Sequence, residues 1–454
     1  MTKTAFRKDF LRGLGSALIE LQSCADPTQF HDIILYGCLH NTTYDMQCEG
    51  TRGWYLHQAA KLSGHEAAIE QAVCQKFSGI SKDTWLFEHL TSILYNFAMD
   101  GSEAAKNALY DKYDSMLNEL SRKRKFQQIC DRRDMFDWLC IWLTSLSGFG
   151  AFKMIVDDIS ESLLTKNADF FFSDWFYSNS EHKFGEKRIE QYLQKQSDKS
   201  PYIRAYYKKA KEMSNRSQKE RPIPTLDEVL ASAKGGFRSV SARMLVMRFA
   251  KNATPEDLEK LAQAAMNEPN AEAQVQLLWA FRHDNIIYAF PEEFLLRLSQ
   301  SSDEQLRSLA YEIIGKTPSP KTREFARSVI QSGADIENGI SLLAKNLLPK
   351  DEILLYDAVK SIHPNSDRRD WHGAYMDAEK GIKSMRGKPK TNILEYLYRN
   401  TLCSWCREFI VRTMHKKGVL SDEILSECLL DSNSEVQSFA KRISQYRNRP
   451  KGNV

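Results

Sequence analysis

The chain has 454 residues, enough for two or three compact domains or one extended repeat array. At 42% hydrophobic and 27% charged residues it can build a packed core, which excludes a disordered chain. Lys+Arg 63 against Asp+Glu 59 leaves a formal charge of +4, too even for a dedicated nucleic-acid binder, although a local basic stripe can hide in that average.

The N-terminal segment MTKTAFRKDFLRGLG is amphipathic and charged, without the apolar run of a signal peptide. The richest apolar stretch, residues 135–146, is about half the ~18–20 residues of a membrane span and contains Asp137, so no membrane association is expected. Nine cysteines without a framework spacing read as free thiols in a reducing compartment, and a cytoplasmic location is expected.

Helical periodicity runs through most of the chain, and strand signals are nearly absent, so the expected class is all-α. Cys38, His40, Cys48 and His57 fall close together, but Cys38 and His40 are two apart and point to different sides of a helix; no metal or other cofactor is expected. The connector 41–54 gathers Tyr44, Asp45, Glu49, Arg52 and Trp54. Asp45 and Glu49 could act as an acid/base pair, or with Arg52 and Trp54 could recognise a peptide. The alternative is a capped loop whose side chains satisfy helix ends and each other.

The next stripe is Trp85, Leu86, Leu90, Ile93, Leu94 and Phe97, with Asp83 as N-cap and Asp100-Gly101 as the stop. Ala105, Leu109, Met116, Leu117 and Leu120 form another, and a basic cluster follows at Arg122, Lys123, Arg124 and Lys125, with Arg132-Arg133 beyond it. Phe152, Ile155, Val156, Ile159 and Leu163 follow the break Gly148-Phe149-Gly150. The aromatic run 170–177 includes Trp175, a candidate groove residue, although most of that run suits a core. Basic residues between 204 and 221 interleave with Tyr202, Tyr206 and Tyr207, a composition that can grip phosphate and stack bases or simply solvate a surface.

Residues 214–224 are polar, charged and carry two prolines, and they read as a linker. They divide a helical N-terminal domain, 1–213, from a second domain, 225–454. Thr225 with Glu228 opens the latter as a capping box.

The second half repeats. Val240, Val275, Leu306, Ile340, Trp371, Cys406 and Val436 recur at intervals of about 30–35 residues, each followed four residues later by a second, mostly apolar, residue: Met244, Trp279, Ala310, Ala344, Tyr375, Ile410 and Ala440. Caps such as Thr254-Pro255-Glu256-Asp257 and Ser421-Asp422-Glu423 separate them. The segments 303–310 and 431–440 resemble the second helix of HEAT repeats: an acidic turn, then hydrophobic-Arg-x-x-Ala, which Leu306, Arg307 and Ala310 match and in which Gln437 replaces the Arg beside Val436. The resemblance covers about half the chain and implies an α-solenoid that binds protein or nucleic acid on its concave side. The first half shows no period of its own and reads as a degenerate continuation or a separate helical domain.

Cys403 and Cys406 form a C-x-x-C inside the stripe Leu402, Cys406, Phe409, Ile410, Thr413 and Met414, so two buried thiols in a packed helix are expected rather than a zinc or redox site. No phosphate loop, nucleophile elbow, zinc-protease or EF-hand pattern occurs. The sequence thus points to a non-enzymatic scaffold for a protein partner, with a nucleic-acid-binding solenoid as the alternative; the oligomeric state is not encoded in any pattern.

Overall fold

The computed structural model describes residues 1–122, 130–165, 174–216, 222–235, 240–283, 285–317, 319–333, 335–362 and 370–447. The described residues form α-helices joined by short turns, with no strand among them. Residues 1–219, 402–408 and 421–454 make one compact unit, and residues 220–401 and 409–420 a second.

The first unit opens with α1 (Lys3–Arg12), α2 (Gly15–Ser23), α3 (His31–Leu39), α4 (Met46–Glu49), α5 (Gly53–Leu62) and α6 (Glu66–Gly79). It continues with α7 (Thr84–Met99), α8 (Glu103–Arg122), α9 (Cys130–Thr165), α10 (Asp174–Phe184), α11 (Glu186–Ser197) and α12 (Pro201–Arg216). Asp83 caps α7 through the Leu86 N–H at 2.9 Å, and α7 stops at Met99, as the sequence pattern requires. α7 packs on α5, α8 and α9. Phe87, Leu90, Ile93, Leu94 and Phe97 are fully buried there, whereas Trp85 is 44% exposed in the first turn, off the buried face.

The apolar stretch of α9 is longer than the sequence reading made it: residues 133–161 are long and apolar enough to cross a membrane by composition alone. Two observations explain them otherwise. Leu139, Cys140, Leu143, Phe152, Ile155 and Val156 are buried in the unit's core, and the chain turns at Gly148, whose φ of 69° only glycine adopts freely. α9 also packs against α12, the most basic helix of the unit, through Tyr206 and Ala210.

In the second unit lie α13 (Leu226–Lys234), α14 (Val240–Asn252), α15 (Pro255–Asn267), α16 (Ala271–Leu278), α17 (Glu292–Ser299) and α18 (Glu304–Ile314). α19 (Pro320–Ser332), α20 (Ile336–Lys345), α21 (Glu352–Ser361), α22 (Asp370–Ser384) and α23 (Ile393–Asn400) follow; of α24 (Ser404–Lys417), residues 404–408 belong to the first unit and 409–417 to the second. The capping boxes of Thr225 and Thr254 are both formed. Sequential helices pair, α15 with α16, α17 with α18, α19 with α20 and α21 with α22; the even-numbered members α16, α18, α20 and α22 then pack on one another in order. Leu306 with Ala310, Ile340 with Ala344, and Trp371 with Tyr375 are buried at these contacts. Met244 departs from the repeat pattern at 54% exposed. Gly381 lets α22 lie directly on α20: a Cβ there would stand 2.9 Å from the Ala344 Cα and carbonyl oxygen.

The last helices, α25 (Asp422–Cys428) and α26 (Ser434–Arg447), pack within the first unit, α25 directly on α2. Gly15 makes that approach: a Cβ would come within 1.9 Å of the Glu427 carbonyl oxygen, which no side chain permits.

Candidate functional site

The connector 41–54 folds into a brace rather than a cleft. Asp45 caps α4 through the Gln47 N–H at 2.9 Å. Glu49 accepts from the Tyr44 and Asp45 N–H groups at 2.7 and 2.9 Å on one carboxylate oxygen. Its other oxygen takes the Arg52 guanidinium and the Ser404 N–H, both at 2.8 Å. Four donors occupy this carboxylate, so no lone pair is left to take up a substrate proton. Burial by itself would push the Glu49 carboxyl up, but the Arg52 charge and the backbone donors of Ser404 and Asp45 hold it below its ordinary range. Arg52 is 2% exposed and also donates to the Leu11 carbonyl at 2.6 Å. Trp54 stands at the edge of this brace, 37% exposed.

A second buried ion pair lies in the same unit. Arg407, fully buried, holds both oxygens of Asp431 at 2.7 and 3.0 Å and donates to the Arg12 and Gly13 carbonyls, each at 3.1 Å. Its fork thus satisfies the carbonyls at the end of α1 and ties α24 to Asp431, in the turn before α26. Cys403 immediately precedes α24, so the C-x-x-C opens a helix instead of lying within one, contrary to the sequence reading. Both thiols are buried, as expected, and the hydrogen bond to Cys403 together with burial drives the Cys406 thiol far up, away from thiolate chemistry.

The second unit holds a groove of about 1250 Å³. It is lined by Met247 of α14, by Trp279 and Arg282 of the 3-10 turn after α16, and by residues of α18, α19, α20 and α22. Trp279 begins a short 3-10 turn after α16, flanked by Arg243 at 4.3 Å and Arg282 at 4.7 Å from its ring centre. These contacts hold an amphipathic aromatic ring at the groove's surface. Arg282 pairs with Glu312 at 2.7 Å, and Arg307 with Asp335 at 3.3 Å and with the Ser301 carbonyl at 2.8 Å. Lys316 donates to the His283 and Ile286 carbonyls, and Lys345 to that of Glu312 at 3.3 Å. Burial pushes the Glu312 carboxyl up, with Arg282 and Lys345 opposing. The lining cations Arg282, Arg307, Lys316, Lys345 and Lys380 are matched by the anions Glu304, Glu312, Asp335, Glu337 and Asp377. Met247, Tyr311, Phe325, Val329 and Met376 supply apolar surface between them.

Of the residues singled out from sequence, the structure joins Tyr44, Asp45, Glu49 and Arg52 in the brace, where Cys48 bonds to Asp45, and places Trp54 two residues beyond. Trp175 meets Trp138 edge-on, ring centres 4.0 Å apart, and is 37% exposed. Arg122 ends α8; its side chain, Arg124 and the aromatics 170–172 lie outside the described residues. Cys38, His40, Cys48 and His57 each have separate surroundings: Cys38 is in the core, His40 stacks on Tyr36, Cys48 is exposed, and His57 lies beside Asp100. Tyr206 is a core residue, and Tyr207 and Lys211 share Glu190, which occupies part of the second basic cluster. Sequence reasoning passed over the groove residues Arg282, Glu312 and Asp335, although Trp279 and Arg307 stand at repeat positions that marked their neighbours.

No family model and no curated protein matches the chain. Among solved structures, a crystal structure of an engineered protein is similar over 95% of this chain and 98% of its own, at 14% identity and a TM-score of 0.23.

Proposed function

We propose that the second unit is a HEAT-like solenoid of stacked helix pairs, and that the protein is a non-enzymatic cytoplasmic scaffold that binds a protein partner in the groove lined by α18, α19, α20 and α22. The observation that carries this reading is the groove itself: helices of successive stacked pairs, α18, α19, α20 and α22, line one continuous surface, the arrangement that stacked repeats use for extended partners. A flanked Trp and several Arg side chains stand along it, the residue types that dominate binding energy when a partner covers them. The matched charges favour protein over nucleic acid, because a phosphate backbone needs an excess of cations to release counterions.

The test is capture from native lysate with wild-type protein and a Trp279→Ala, Arg282→Glu double variant side by side. A stoichiometric protein partner lost only in the variant, with unchanged melting, supports the reading. Co-purified nucleic acid whose binding weakens steeply with salt would replace it with the alternative.

A further inference from the structure

Three thiols of the first unit gather where the connector 41–54 meets the start of α24. Cys403 and Cys406 are buried, and their sulfurs lie within 4.8 Å of each other. The bond from the Ser404 N–H to Glu49, at 2.8 Å, ties the residue after Cys403 to the residue after Cys48. Cys48 is exposed on the short α4, its thiol bonded to Asp45, and it stands within electrostatic reach of both other thiols.

The surroundings choose between the uses of such a cluster. A nucleophilic or redox-active cysteine needs electropositive surroundings that hold the thiolate. Here the two guanidinium groups nearby are spent, Arg52 on Glu49 and Arg407 on Asp431. The groups that act on Cys48 and Cys406 are carboxylates and other thiols, and each of them pushes the thiol up. A bound cation reverses that balance, because its charge removes the mutual repulsion and displaces the protons.

Sulfur donors also select the cation: thiolates suit zinc and copper(I), and oxygen donors suit magnesium and calcium. Two thiolates on a tetrahedral zinc, each at about 2.3 Å, stand about 3.8 Å apart, so the Cys403 and Cys406 sulfurs need to close by about 1 Å at most. Zinc takes three or four protein donors, and a third thiol beside the pair favours it over a two-coordinate copper(I).

We propose that Cys48, Cys403 and Cys406 are thiolate ligands of a zinc ion that pins the connector to the start of α24, beside the Glu49 bond to Ser404. Each thiol gives its proton to solvent as its sulfur–zinc bond forms, and nothing is oxidised or reduced. The sequence shows only the C-x-x-C half of this site, because the third thiol comes from the other end of the chain.

Zinc titration of the reduced, chelator-stripped full chain against a chromophoric chelator tests this, with cobalt(II) as a spectroscopic stand-in. One zinc should bind per chain, and the cobalt form should show the sulfur-to-metal charge-transfer band and strong visible bands of tetrahedral thiolate coordination. Cys403→Ser and Cys406→Ser should each weaken zinc binding by more than about a hundredfold, and Cys48→Ser by at least about tenfold with a weaker charge-transfer band. Cys24→Ser, at a thiol that bonds the Asp26 carbonyl, should change nothing. Alkylation read by mass spectrometry covers a variant that fails to fold: in the wild-type chain zinc should slow labelling of Cys48, Cys403 and Cys406 and leave Cys24 unaffected. Absence of zinc binding and of that protection overturns the proposal, as does equal zinc affinity in Cys48→Ser. Binding of copper(I) alone overturns it too and reassigns the C-x-x-C pair.

Discussion

The two units use ionic side chains in opposite ways. In the first, Arg407, Asp431, Arg52 and Glu49 are sealed from water, and each guanidinium is held by a buried carboxylate and by backbone carbonyls. In the second, Arg282, Glu312, Arg307 and Asp335 form pairs that remain open to solvent along the groove, with side chains between 21% and 46% exposed. Sealed pairs hold segments together and are costly to break singly, because the surviving partner is left buried and charged. Solvent-open pairs contribute little to folding and can be exchanged for a ligand's groups. On the proposed function, stability and recognition are thus divided between the units.

Substitutions can break that division. Arg407→Ala should be the most damaging, about 3–5 kcal/mol in urea unfolding, since Asp431 stays buried without its cation and the carbonyls of Arg12 and Gly13 lose their donor. A loss under about 1 kcal/mol would mean that water already reaches the pair. Ala310→Arg follows, at about 2–4 kcal/mol, because Ala310 is fully buried where α18 meets its neighbours and the new charge has no partner.

Glu88 sharpens the comparison from the other side. It is buried in the first unit, one of its oxygens has no hydrogen-bond partner, and burial pushes its carboxyl up to about 7. With the folded value above the unfolded one, the contribution to stability is whole below the ordinary carboxylate range and is lost as pH rises through about 7. Glu88→Gln should therefore raise stability by about 1–3 kcal/mol near pH ~8 and change little near pH ~4, read from melting curves at both. An equal effect at the two pH values would assign the change to packing instead of charge. Smallest is Arg307→Ala, expected to cost under about 1 kcal/mol of stability while weakening partner binding. A stability loss equal to that of Ala310→Arg would erase the distinction between packing and groove positions.

Much of the helical fold is legible in the sequence because its signals are local. Asp83, Thr225 and Thr254 cap within three residues of themselves, and the periodic pairs Leu306 with Ala310 and Ile340 with Ala344 are buried as their spacing implies. Trp85 and Met244 show the limit: periodicity places a residue on a helix face but does not say whether a neighbour covers that face. The connector's cluster of functional side chains was legible, but their roles were not, because Glu49 is satisfied in part by Ser404, 355 residues away. The groove was half legible. Its stacked helix pairs follow the roughly 30–35-residue spacing of the sequence, whereas its ion pairs join different helices and leave no motif in either.

The contact of Arg407 with the Arg12 carbonyl spans 395 residues of chain. During synthesis, at about 5–20 residues per second, α1 and α2 emerge roughly 20–80 s before the guanidinium that satisfies them. For that interval Gly13 and Gly15 present an uncovered surface shaped for Ser432 and Glu427. The N-terminal helices therefore depend for their last layer on a segment the ribosome delivers long afterwards, and nascent chains stalled before residue 431 should be bound by chaperones or digested where the completed protein is not.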